Sequence, residues 1–223
     1  MIRFVCFLFQ PSALVPAWGR VYDGEWVDKL ARAIRRNYDG PHEVVAMVDR
    51  DDYEITEDVI QLRLDASAGG WDYIMQAWRP DVADVTTCVL GLDTIIRGDI
   101  TEIVDTSAAH GLALPNDPYQ TKQVCNAIGV YSSGQAATLW DEWSERREFW
   151  MFTARVNGRF SEMHFLRHVC PHAWRIDEAF PGQVVSFKKH WRTGRFKDAR
   201  IVYFHGNPKL NAIKAPRLLE HWT

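Results

Sequence analysis

The chain has 223 residues, 47% of them hydrophobic and 13% aromatic, which is enough to bury one substantial core and excludes a disordered chain. Lys and Arg number 26 against 29 Asp and Glu, so the net charge is −3 and attraction to nucleic acid or an anionic membrane would need a local patch. No apolar run is long enough for a transmembrane helix, and the run from Phe4 to Phe9 is too short for a secretory segment and stops at Gln10-Pro11.

Strand-like and helix-like stretches alternate through the first half, the pattern of an α/β domain with a mainly parallel sheet. Ile2 to Phe9 reads as a strand. Asp23 to Tyr38 places Trp26, Val27, Leu30, Ala33 and Ile34 at helical spacing and ends at Gly40-Pro41. His42 to Val48 is a second strand, Val59 to Leu64 is extended, and Trp71 to Trp78 is a short helix stopped by Arg79-Pro80. Thr86 to Leu90 is a further strand, running into "GLDTIIRGDI". From Ile103 to Gln123 the chain reads as irregular. A strand over Val124 to Tyr131 follows, with helices over Gln135 to Phe149 and Ser161 to Val169, an extended piece in "PGQVVSF" and a last strand in "ARIVYF" (199–204). No repeat or linker divides the chain, so residues 1–223 are expected to form a single domain. The cysteines, Cys6, Cys88, Cys125 and Cys170, form no CxxC pair and read as reduced thiols, which suits a cytoplasmic protein.

In an open α/β sheet, ligands sit beyond the carboxyl ends of the strands, so polar residues just after apolar runs are the first candidates. Asp93 is one. It could hold a divalent cation beside a substrate phosphate, although on position alone a turn cap is the simpler assignment. The second candidate is "RIVYFHGNPK" (200–209), where Gly206 allows close approach of a ligand, Lys209 suits a phosphate and His205 can ligate a metal, although taken alone an ordinary strand-ending turn with a solvated lysine is the plainer reading. His164 and His168, at i and i+4 with Cys170 and His172 nearby, lack an HExxH pattern and read as structural. The run 186–200 interleaves Lys188, Lys189, Arg192, Arg195, Lys197 and Arg200 with Phe187, Trp191 and Phe196. That is the composition of a nucleic-acid contact, but a solvated loop is the plainer reading. No GxSxG, Walker loop or GxGxxG fingerprint is present.

Together, "LGLDTIIRGDI" and "YFHGNPK" resemble the DxD phrase and the closing HxxGxxKP(W) signature of glycosyltransferases with the A-type fold, similar to the glycogenin and galactosyltransferase-like families. Asp93 matches the last DxD aspartate, Gly91 stands where the first would be, and Asp99 matches a later one. Gly206 and Lys209 fall in register, Tyr203 occupies the histidine position, and His205 follows two residues later. "GGWDYIMQAWRP" matches with Ile74 in place of a lysine common in relatives, and Glu162 stands where relatives often have the aspartate of GDQ. The resemblance implies a single-domain α/β fold with a mainly parallel sheet flanked by helices, and residues 204–223 lying near the donor site. The implied activity is transfer of a sugar from a nucleotide-diphosphate sugar, a UDP-sugar first, to a glycan, lipid-linked or small-molecule acceptor. It further implies Mn²⁺ or Mg²⁺ on Asp93 and His205, donor contacts from Tyr22, Leu92, Asp93, Asn126, His205, Gly206 and Lys209, and catalytic roles for Asp93, Lys209 and Glu162. Asp117 is an alternative to Glu162 as base. A modified DNA base is a further possible acceptor, and a non-catalytic nucleotide-sugar-binding domain is the rival from another class.

Overall fold

A computed structural model describes residues 1–10, 20–66, 70–194 and 198–223. The first strand, β1 (Ile2–Leu8), is followed by helix α1 (Gly24–Asn37) and strands β2 (His42–Val48) and β3 (Ile60–Arg63). A 3₁₀ helix over Trp71–Trp78 leads to β4 (Thr86–Leu90), β5 (Thr94–Ile96), α2 (Thr101–Ala109), β6 (Leu112–Leu114) and β7 (Ile128–Tyr131). The second half adds α3 (Ser133–Glu145), α4 (Arg147–Thr153), the hairpin β8 (Arg155–Val156) and β9 (Arg159–Phe160), α5 (Glu162–Val169), β10 (Trp174–Arg175) and α6 (Ile176–Ala179). The last elements are β11 (Val184–Ser186), β12 (Ile201–Tyr203) and the short α7 (Pro216–Leu219).

Seven strands make the central sheet in the order β10-β6-β7-β4-β1-β2-β3. β3, β2, β1 and β4 run parallel, which explains why β1 is apolar on both faces: Phe4, Val5, Cys6 and Leu8 are all at or below 1% exposure, as a strand covered by helices on both sides must be. The chain moves outward from β1 to β2 and β3, then returns to lay β4 on the other side of β1. That reversal opens a crevice at the carboxyl ends of β1 and β4. β7 is antiparallel to β4, with Ile128 opposite Leu90, so the residues just before β7 arrive at the same edge.

A smaller sheet, β11-β12-β5, closes that edge from the far side. β12 pairs antiparallel with β5, Tyr203 opposite Thr94, and Phe204 N–H donates to the Asp93 carbonyl at 3.2 Å. Residues 204–209 therefore run past the turn that follows β4.

The expected strands and helices are found with shifts at their ends, and three differences have clear causes. The stretch read as irregular after Ile103 contains most of α2 and all of β6. α2 buries only Ile103, Val104 and Ser107, too few to show a stripe, and starts on Asp99, whose carboxylate accepts from Thr101 N–H at 2.8 Å. The helix expected over 135–149 breaks at Arg146 (φ −124°, ψ 27°) into α3 and α4. The strand expected from Val124 starts at Ile128, Val124 making only an isolated bridge to Asn116.

α1 carries one buried carboxylate, Asp28, which accepts from the backbone of Thr56 and Glu57 and from the Thr56 hydroxyl at 2.7–3.1 Å. Burial alone would raise its pKa, but these hydrogen bonds and Arg32 outweigh it and hold the carboxyl below its usual value. The stabilisation is therefore present above the ordinary carboxylate pKa and is lost as pH falls through the lowered one. Asp28→Asn should lower stability by about 2 kcal/mol at neutral pH, a gap that closes in acid. Denaturant melts of both proteins across that pH range are the check.

Candidate active site

The crevice at the carboxyl ends of β1 and β4 holds a cavity of about 350 Å³. One wall is apolar, made by Phe7, Phe9, Trp71, Ile74 and Val89. The other carries Tyr22, Asp93, Asn126, Glu162, His205 and Lys209. All seven residues expected to contact a donor, together with Glu162, line this single cavity, although they come from five separate parts of the chain. Leu92 contributes through a side chain that is itself core, at 4% exposure.

Asp93 sits in the tight turn after β4, closed by Thr94 N–H donating to the Gly91 carbonyl at 3.1 Å, and is 7% exposed. Its Oδ2 accepts from the Tyr22 hydroxyl at 3.0 Å and is ion-paired with the Lys209 ammonium, itself 9% exposed. Burial first, and Asp93 after it, push the Tyr22 pKa far above its usual value, so the phenol stays protonated and keeps donating. Tyr22 is in turn braced edge-on by Trp26 of α1, ring centroids 4.9 Å apart, and its own ring lies 5.3 Å from the Lys209 ammonium. Ordinary caps satisfy backbone donors; the Asp93 side chain instead takes a cation and a phenol.

Elsewhere in the lining, Glu162 opens α5 beneath its cap Ser161, and its Oε1 accepts from Asn126 Nδ2 at 2.8 Å. Asn126 arrives there because β7 starts at this edge. Burial raises the Glu162 pKa, only partly offset by Asn126 and the helix backbone. Glu162, Ser161 and Trp71 also line a second, more open cleft bounded by Val156, Asn157, Arg159 and Phe160 of the β8–β9 hairpin. Glu162 thus stands where the two cavities meet.

His205 is held by its Nε2 against the Ser186 hydroxyl at 2.8 Å, with Tyr119 edge-on at 5.5 Å. Burial, then Lys188, lowers its pKa, so the ring is neutral at pH 7. Gly206, at φ 62°, has the left-handed conformation that favours glycine. The Lys188 ammonium lies over it, 3.1 Å from where a Cβ would stand.

Asp117 pairs with Arg167 at 2.7 Å and caps the turn at Tyr119 and Gln120, so its carboxylate is spent on structure and is not poised as a base. Asp99 accepts from Thr101 N–H at the start of α2 and does not line the cavity. In the basic run, Phe187 is buried and stacks on Phe204 at 4.4 Å, while Trp191 lies under Arg97 at 4.5 Å, so neither ring is a free platform for a base. Arg195, Phe196 and Lys197 lie outside the described residues. His164 and His168 read as structural: the His168 ring is hydrogen-bonded to the His164 carbonyl at 2.7 Å and lies 5.9 Å from the Trp150 ring, while His164 Nδ1 is buried without a hydrogen-bond partner. Sequence reading missed the apolar wall and the place of Lys188. The basic run marked Lys188, but only the pairing of β11 with β12 sets it beside Gly206.

The whole chain superposes on the galactosyltransferase LgtC, solved with donor and acceptor sugar analogues, with a TM-score of 0.60 at 11% identity, covering 98% of this chain and 94% of LgtC. It also superposes on the glycosyltransferase GlyE of Streptococcus pneumoniae, with a TM-score of 0.62 at 13% identity, covering 99% of this chain and 58% of GlyE. The chain has the glycosyltransferase A-type fold. The bifunctional glycosyltransferase WbbM matches over 93% of this chain and 46% of its own, with a TM-score of 0.61 and 10% identity. No protein-family model and no curated sequence matches the chain. No helix among the described residues is long and apolar enough to cross a membrane, and the four cysteines are free and buried.

The divalent ion that this fold implies can be weighed against the donor set. One carboxylate stands at the turn, and its Oδ2 already receives an ammonium and a phenol. Position 91 has no side chain, though a Cβ there would face Asp93 Oδ1 at 3.1 Å, and His205 is turned to Ser186. Among the described residues no three Asp, Glu, His or Cys groups gather that could hold a metal. Hard divalent ions want several oxygen ligands, and this set does not fit one.

The Asp93–Lys209 pair should behave as a buried charge pair. Asp93→Asn or Lys209→Met alone should each cost about 3 kcal/mol by leaving its partner uncompensated, while the double variant should recover most of that loss. A double-mutant cycle read by denaturant unfolding tests it; additive losses would show that the two groups do not interact.

Proposed function

We propose that the protein transfers a sugar from a nucleotide-diphosphate sugar, a UDP-sugar first, to a hydroxyl of a glycan, lipid-linked or small-molecule acceptor. The observation that carries the reading is the gathering of Lys209, Gly206 and Asp93 at the carboxyl end of β4, in the crevice of a fold shared with glycosyltransferases. Transfer breaks the bond between the sugar's anomeric carbon and the diphosphate oxygen. The electron pair leaves with the diphosphate, and the acceptor oxygen bonds to the anomeric carbon and gives up its proton. Negative charge therefore grows on the departing group, and a fixed cation beside it lowers the barrier because the attraction is stronger in the transition state than in the ground state.

Lys209 is suited to that charge because it is already desolvated and placed by two partners. A diphosphate arriving at the turn exchanges part of the Asp93 contact for its own oxygens, and Tyr22, locked in its protonated form, keeps Asp93 hydrogen-bonded meanwhile. Glu162 is suited to take the acceptor proton. Its raised pKa makes it a stronger base than an exposed glutamate, and the second cleft leads to it from solvent, which makes that cleft the acceptor's approach.

Incubating the protein with UDP-, GDP- and other nucleotide sugars and a panel of acceptor sugars should release nucleoside diphosphate. Lys209→Met should slow turnover by about 100-fold; binding of every donor without turnover would instead identify a non-catalytic nucleotide-sugar-binding domain. The solitary carboxylate and its pairing with Lys209 are what favour that second reading.

Activity should rise with pH along a limb lying above the ordinary glutamate range, and Glu162→Gln should remove that limb and cut turnover by about 10²- to 10⁴-fold. The stability sign is opposite to that of Asp28. A carboxyl raised in the folded state makes stability fall as pH rises through the raised value. Glu162→Gln should therefore melt higher than the parent at neutral pH and level with it in acid. An unchanged pH–rate limb in the variant would remove Glu162 from the base role.

A further inference from the structure

We propose that Lys188 and Lys209 form a cation pair that receives the donor diphosphate, so that this chain binds a nucleoside diphosphate without a divalent ion. The inference rests on the nucleotide-sugar reading and names the groups that supply the positive charge within it.

The turn after β4 offers a single carboxylate, and that carboxylate is used to hold Lys209 rather than left open. Lys188 approaches Gly206, which precedes Lys209 in the same segment, its ammonium 3.1 Å from the position of a Cβ on Gly206. A side chain on residue 206 would crowd the ammonium and strain the backbone at φ 62°, so glycine keeps the space beneath Lys188 clear. Lys188 is half-buried and has no hydrogen bond or ion pair with any described residue.

The charges it senses are of its own sign. Burial, then the like charges of Lys209 and Arg192, hold its ammonium pKa below the usual value, in keeping with its place over Gly206, three residues before Lys209. Such a gathering is unfavourable for the empty protein and is relieved when an anion enters. Two ammonium groups, one of them shared with Asp93, can supply the positive charge that a divalent ion would otherwise bring to a diphosphate lying over the bare backbone of Gly206.

The placement of Lys188 is built into the fold. β11 and β12 run parallel, Ser186 opposite Tyr203, and just beyond them Phe187 and Phe204 stack at 4.4 Å with 15° between their planes. This buried stack fixes the next residues of both strands side by side, Lys188 on one and His205-Gly206 on the other. The Ser186 hydroxyl adds a tie by bonding both His205 Nε2 and the Lys189 N–H. Lys188 is therefore aimed by packed neighbours and is not a loose surface lysine.

Isothermal titration with UDP, GDP, ADP and inorganic pyrophosphate, first in EDTA and then in manganese, tests the proposal. At least one nucleoside diphosphate should bind in EDTA, with an affinity that manganese leaves within about threefold. Lys188→Ala should weaken it about 10- to 100-fold, the worth of one charged hydrogen bond. Lys188→Arg, which keeps the charge, should restore most of that loss, and the melting temperatures of both variants should match the parent. Binding that appears only with manganese, or that Lys188→Ala leaves unchanged, overturns the proposal while leaving the nucleotide-sugar reading intact. If none of the four compounds binds in either buffer, the nucleotide-sugar reading itself fails and the cation pair fails with it.

Discussion

The ion pair between Asp93 and Lys209 ties the end of a central strand to a segment more than a hundred residues later. Both groups are almost fully removed from water. Pairs of this kind gain little net stability over apolar residues of similar size, because the attraction is largely spent on desolvating both charges. Their value here is positional. An ammonium that cannot retreat into solvent stays at the mouth of the crevice, and the residues around it are arranged on that condition.

Tyr22 and Gly206 show how. Tyr22 is raised too far to ionise, so it can only donate to Asp93, and its ring also flanks the ammonium. Gly206 lets the backbone pass close to the same point without a side chain to fill it. Elsewhere in the lining Glu162 faces the reverse situation: burial without a cation, one amide donor and a raised pKa. A single cavity thus keeps a compensated carboxylate and an uncompensated one in its lining. On the proposed reading, that division separates holding a leaving group from accepting a proton.

The scaffold makes this division by topology. The reversal of strand order between β1 and β4 opens the crevice, the antiparallel β7 brings Asn126 to it, and the small sheet returns the C-terminal segment across it. The apolar wall of Phe7, Phe9 and Trp71 excludes water from one side, which strengthens every charge interaction on the other.

Much of this was legible in the chain itself. Largely apolar runs marked β1, β2 and β4, because a parallel strand buried on both faces has few polar positions to show. The amphipathic stripe of α1 and the turn signals after the strands placed Asp93 and Lys209 at the correct edge. Where burial was slight the pattern faded, so most of α2 and the break at Arg146 went unread, and Asp117 passed as a candidate base because its pairing with Arg167 joins positions fifty residues apart. The sequence by itself determined the α/β class, the strand ends and the types of group available, since these follow from local periodicity and chemistry. Only the tertiary structure decided that Asp93 would be neutralised by Lys209, that Glu162 would stand between two cavities and that Lys188 would lie over Gly206. Each of those is a distance between remote residues, set by strand order and packing, and no local pattern encodes it.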